Sequence, residues 1–256
     1  KKTYDIIIDN MSTVDHIEMA VKHLPTIKPM GADNMRDKVR YQSRIKAEIQ
    51  LGIKECFKLK KTEDFEKLLE LNYVFAKKIN ALSKGSFALE ENTNSKLDYY
   101  SKFKMKEAYI NLVNQIIQEK INPFPPSEVI ANDNNAKNLM QQAKGEGQAI
   151  KPATARSILK RNSLAYKKAT LLNTIAQNYF SFFNDLSQLE KALGYAELST
   201  EYLDIPETRL TRARLLNKLE KTEMAVAQLD LGLQSSLLDW RIKSDLLGLR
   251  KKLIKN

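Results

Sequence analysis

The chain has 256 residues, 43% hydrophobic and 29% charged, with a formal net charge of +11. That is the composition of a soluble globular protein with room for one large or two modest cores, and no apolar run approaches the roughly 18–20 residues that cross a bilayer. A single cysteine, Cys56, excludes an intrachain disulfide or a CxxC redox pair, and only 8 Gly and 7 Pro favour long helices over many short strands.

The chain opens Lys1-Lys2-Thr3-Tyr4, with neither an initiator Met nor a signal-peptide apolar core, as expected of a processed chain or an excised fragment. Tyr4–Asp9 is open to a strand by its β-branching, although helical neighbours favour a short helix. Ser12 or Thr13 caps the next helix, whose apolar stripe is Val14, Ile17, Val21 and Leu24 and which Pro25 and Pro29 end. Beyond Gly31 a long amphipathic run from Met35 to Leu59 repeats Val39, Ile45, Ile49, Ile53 and Phe57 at helical spacing. Cys56 falls inside that pattern, where a thiol acts as a small buried hydrophobe.

Thr62 is the expected cap of the following helix, with Glu63 and Asp64 in its first turn and Phe65, Leu68, Leu69, Val74, Phe75, Ile79 and Leu82 on its buried face. Gly85 and the Glu90–Asn94 stretch read as a loop. The spacing leaves 95–121 as one helix or as two that break near Lys104–Lys106. Pro123, Pro125 and Pro126 force a stop, because each lacks an N–H and restricts the residue before it. The organisation expected from this is an N-terminal helical region over 1–126, a polar linker or insertion over 127–153, and a C-terminal helical region over 154–256. The last helix buries Leu238, Ile242, Leu246, Leu249 and Leu253. In all, roughly nine to eleven helices and an all-α fold are predicted.

The charge is unevenly placed. Between 137 and 168 eight basic residues face Glu146 alone, and from 241 to 256 six face Asp245 alone. Arg156, Lys160, Arg161, Lys167 and Lys168, with Tyr166 among them, form a candidate partner-binding face along one helical stretch. Such a face can be merely solvated, or can meet an acidic protein, a phosphate backbone or anionic lipid headgroups. No helix-turn-helix recognition element or RNP-like aromatic motif accompanies it, which weighs against nucleic acid. Tyr179, Phe182 and Phe183 crowd the expected turn between two helices, as partner contacts or as core.

No catalytic, metal or cofactor fingerprint is present. His16 and His23 stand seven apart, two turns along a helix, unlike the i, i+4 pair of zinc helices. Gly145-Glu146-Gly147 is too short for a phosphate loop, and its Glu would repel a phosphate. The expectation is therefore a chain without enzymatic activity.

Residues 170–233 carry small residues at helix contact points. Leu172, Ile175, Ala176, Tyr179 and Phe180 lead to Ala192, Ala196 and Ser199; Leu210, Ala213 and Leu216 lead to Ala225, Leu229, Gly232 and Leu233. This pattern resembles tetratricopeptide repeats (TPRs), helix-turn-helix units of about 34 residues. Gly232 stands where Ala is usual and Glu220 where a turn Gly is common, and the first unit has a lengthened turn over Ser181–Leu189. The run Leu172–Ala176, Tyr179-Phe180, Asp185, Gln188–Leu193, Tyr195-Ala196 and Ser199 is similar to the helical C-terminal region of bacterial thioredoxin-family proteins. That resemblance implies antiparallel hairpins stacked as a TPR-like right-handed array, a protein or peptide partner, and a thioredoxin-like domain upstream. It also implies a cell-envelope or periplasmic location, with the cytoplasm as the alternative. The implied role is a non-catalytic interaction scaffold; the alternative is a basic helical-repeat protein that binds nucleic acid through 151–168.

Overall fold

The computed structural model describes residues 13–24, 31–79, 84–144 and 150–255. Tyr4–Asp9, Pro25, Pro29, Leu82 and the Gly145–Gly147 turn lie outside the described residues. The described secondary structure is all-α: thirteen helices and one π-helical turn, with no strand among these residues. The chain divides into two compact units, 1–105 and 106–256. The division falls earlier than the three prolines suggest, at a turn where Lys104 takes a left-handed φ of 53°.

In the first unit, α1 (Val14–His23) begins at Thr13, whose hydroxyl accepts from the His16 N–H at 3.4 Å, and buries Ile17, Ala20 and Val21. Helix α2 (Gly31–Leu59) buries Tyr41, Ile45, Ile49, Ile53 and Cys56, a stripe of i+4 steps closed by one i+3 step. Val39, expected on that stripe, is exposed. Burial pushes the Cys56 thiol pKa up, so this cysteine behaves as packing. Helix α3 (Thr62–Ile79) crosses α2 closely: a Cβ on Gly52 would stand 2.9 Å from Leu68 Cδ1.

Thr62 heads α3, but its hydroxyl meets the Tyr99 hydroxyl at 3.3 Å and makes a tertiary tie. Phe65 stacks on Tyr99 with centroids 3.9 Å apart, and Phe57 stands edge-on to both rings. Helix α4 (Lys84–Lys102) runs through the expected Glu90–Asn94 loop. The reason is Asn92, which is buried and donates to the Leu69 carbonyl at 2.6 Å while accepting from Asn72 at 2.9 Å. A polar-looking stretch is thus helical because a partner amide on α3 satisfies its buried member.

In the second unit, α5 (Lys106–Ile116) widens into a π-helical turn over Ile117–Ile121. Pro126 then opens α6 (Pro126–Asn132), since a first-turn proline sacrifices no hydrogen bond. Helix α7 (Asn134–Ala143) follows, so most of the expected linker is helical. The predicted single stretch after Thr154 is two helices, α8 (Pro152–Asn162) and α9 (Leu164–Phe182), broken at Ser163. Ser163 caps α9 by accepting from the Tyr166 N–H at 2.9 Å. Asp133 completes that terminus, accepting from the Leu164 and Ala165 N–H groups and from the Ser163 hydroxyl.

From α9 onward each helix packs on the next: α10 (Leu186–Tyr202), α11 (Pro206–Lys218), α12 (Thr222–Leu233) and α13 (Trp240–Lys255). The α9–α10 turn is short, Phe183 to Asp185, where a longer one was expected; Asp185 stops it by capping Gln188 at 3.0 Å. Buried Ala169, Ala176, Ala192, Ala196, Ala213 and Ala225 line the α9–α12 faces, where their short side chains let backbones approach. Ser199 bonds the Ala169 carbonyl at 2.7 Å and the Thr208 hydroxyl at 3.1 Å. A Cβ on Gly232 would meet Arg209 Cβ and Leu246 Cδ2 at 3.1 Å, which accounts for glycine there.

The α11–α12 turn is a Schellman cap. The Lys221 N–H reaches the Leu216 carbonyl at 2.8 Å, and the Glu220 N–H reaches Asn217 at 3.0 Å. Glu220 holds a φ of 62°, a region that disfavours any residue with a Cβ. Glu220→Gly is expected to raise stability by about 0.5–1 kcal/mol, checked as a rise in the urea midpoint at unchanged slope.

Candidate interaction surface

The basic segment does not form a single face. Arg156 on α8 is largely buried: its Nε donates to the Leu237 carbonyl at 2.8 Å and its guanidinium pairs with Glu207 in the first turn of α11. Asp239 adds a weaker contact at 3.7 Å. Lys168 is buried on α9, donates to the Lys120 carbonyl of the π-helical turn, and stands 4.5 Å from the Phe124 ring centroid. Burial, then the neighbouring Lys120 charge, lowers its pKa. Tyr202 joins it there, donating to Phe124 and Ile121 carbonyls. The Lys120 and Ile121 carbonyls at the end of the π-helical turn thereby gain side-chain donors.

Tyr166 packs half-buried against the small core of Ala155, Ile205 and Leu237. Two cations and the tyrosine of the expected face are therefore structural. Lys160, Arg161 and Lys167 remain exposed, on two helices with a break between them.

The three aromatics have also been drawn inward. Tyr179 is fully buried, with Tyr195 at 5.6 Å and Tyr109 at 5.9 Å edge-on and Phe183 tilted at 5.0 Å. Burial, then Tyr195 and Tyr109, raise its hydroxyl pKa far above the ordinary range. Phe183 is buried as well, with Lys106 over its ring at 5.3 Å. Phe182 keeps partial exposure but spends an edge contact on Tyr109 at 5.0 Å. Lys218 closes the cluster by donating to the Phe180 and Phe183 carbonyls at 3.0 and 2.9 Å. Tyr179 and Phe183 are core, holding the α9–α10 turn against α5, and are out of a partner's reach.

What the surface does offer is apolar. Leu186, Met224 and Leu231 are exposed on α10 and α12, and Trp240, Leu247 and Ile254 on α13. The last three recur at i, i+7, i+14. That spacing was legible but lay beneath the stronger i+3/i+4 stripe of the same helix, which buries Leu246 and Leu253. Among the described residues no group of three His, Cys, Asp or Glu side chains converges to hold a metal ion. No described helix is long and apolar enough to cross a membrane. No protein family, curated protein or solved structure matches this chain.

Proposed function

We propose that the chain is a non-catalytic helical-repeat scaffold that presents a rigid surface to a protein or peptide partner. One observation carries this reading: from α9 to α13 each helix packs on the next, and fully buried alanines line the faces of α9 to α12. Serial packing of this kind supports reading the 170–233 pattern as a TPR-like right-handed array, an extended framework. Three of its cations are spent internally: Arg156, Lys168 and Lys218 each tie one element to another. The likeness of 172–199 to the helical tails of bacterial thioredoxin-family proteins adds the setting: a thioredoxin-like neighbour, within the cell envelope or periplasm, with the cytoplasm as the alternative.

The second reading, nucleic-acid binding, keeps Lys160, Arg161 and Lys167 as exposed cations and loses Arg156 and Lys168 to the interior. Site-specific photocross-linking in cells separates the two. With a photoreactive amino acid at Leu186, Met224 or Lys160, the scaffold reading expects discrete protein adducts at the apolar positions. Adducts confined to Lys160 and sensitive to nuclease would overturn it.

A further inference from the structure

Helix α13 carries two apolar stripes. Leu246 and Leu253 face the packed interior beside α11 and α12. Trp240, Leu247 and Ile254 lie about 100° around the axis from them on an ideal helix, and are 76%, 46% and 57% exposed. Seven residues advance a helix by nearly two turns, so these three side chains fall within an arc of about 40° along roughly 21 Å. The seam is flanked by cations on both sides: Lys243 and Arg250 on one, Lys251 and Lys255 on the other. Arg241 lies over the Trp240 ring at 5.2 Å, and Arg250 is held by Asp230 at 2.6 Å. Asp245 is the one acidic side chain on the helix.

We infer that this seam docks an acidic amphipathic helix of a partner protein. Its width selects a helix. An arc of about 40° is far narrower than the stripe of about 100° or more by which a surface helix packs into a core, and one side chain every seventh residue makes one of the two rows of a coiled-coil seam, enough to meet a single ridge of a helix lying alongside. The charge selects the flanks of that helix: carboxylates either side of its apolar ridge would meet Lys243, Lys251 and Lys255, while a basic helix would be repelled. Trp240 supplies the large aromatic anchor that dominates such contacts. The inference rests on the scaffold reading and gives it a partner chemistry.

Trp240 is the only tryptophan in the chain, so its emission reports directly on the seam. The probe is an 18-residue tryptophan-free peptide with leucines at every third or fourth position and flanking glutamates. Saturable blue-shifting of Trp240 emission is expected, with the affinity falling as salt rises. The same peptide with lysine flanks should bind at least about tenfold more weakly. The variant Leu247→Ser/Ile254→Ser keeps its fold, because both side chains are exposed, and should lose about tenfold or more in affinity at unchanged helical circular dichroism. Lys243→Glu/Lys251→Glu should reverse the peptide preference. Equal binding of acidic and basic peptides would overturn the inference. So would full affinity in the serine variant, a blue shift with phosphatidylserine vesicles and none with peptide, or a concentration-dependent shift without any ligand, which marks a second copy on the seam. Protein cross-links at Leu186 or Met224 alongside any of those results would leave the scaffold reading standing while this one falls.

Discussion

Replacing Tyr179 by alanine is expected to lower stability by about 3–5 kcal/mol, the usual loss when a fully buried aromatic is truncated. Tyr179 stands among three rings, Tyr109, Phe183 and Tyr195, at 5.0–5.9 Å. Each such pair contributes about 0.5–1.5 kcal/mol beyond the area it buries. The loss should appear as a lower urea midpoint. A simultaneous fall in the slope would show that the α9–α10 hairpin has come away from α5 before the rest unfolds. Leu186→Ala, immediately after the same turn and 62% exposed, should move stability by no more than about 0.5 kcal/mol. The pair separates two explanations of an aromatic crowd at a turn. If Tyr179→Ala were as mild as Leu186→Ala, Tyr179 would belong to a binding surface after all.

The sequence announced most of the helices because their buried faces repeat at fixed steps. Ile45, Ile49 and Ile53 define α2, and Leu246 and Leu253 define α13, whatever packs against them. Glu220 and Gly232 were noticed as departures from a repeat pattern, and each has a local cause: a left-handed turn and a close backbone approach. Most of what stayed hidden has a non-local cause. Asn92 looks like loop chemistry until Asn72, twenty residues earlier, is placed beside it. Ser163 carried a legible cap signal, but Lys and Arg are good helix formers and hid the break behind an unbroken basic run. Arg156 and Lys168 look like surface residues because charge is usually solvated. Their partners, Glu207 and the Lys120 carbonyl, lie 51 and 48 residues away. Helix α13 superposes two periodicities, and its buried Leu246–Leu253 stripe masks the exposed Trp240–Leu247–Ile254 one.

Arg156→Ala should cost about 3 kcal/mol, because it removes a guanidinium that holds three segments of the second unit together. The side chain is 18% exposed and its partner Glu207 25%, so solvent screens the pair weakly. Truncation breaks the Leu237 carbonyl bond before α13 and strands the Glu207 carboxylate beside the Ala155–Ile205–Leu237 core. Most of the penalty is that stranded charge, and this gives the prediction a second arm. Arg156→Met/Glu207→Gln keeps similar volume and removes both charges, so it should recover at least half of the loss. The double-mutant cycle would then report a coupling of about 1–3 kcal/mol. Raising salt from 0.05 to 0.5 M should leave the coupling nearly unchanged, unlike that of an exposed pair such as Lys67 with Asp15. A coupling that salt abolishes would return Arg156 to the surface. It would then be a phosphate- or carboxylate-seeking cation, and nucleic-acid binding through 151–168 would regain the residue it most needs.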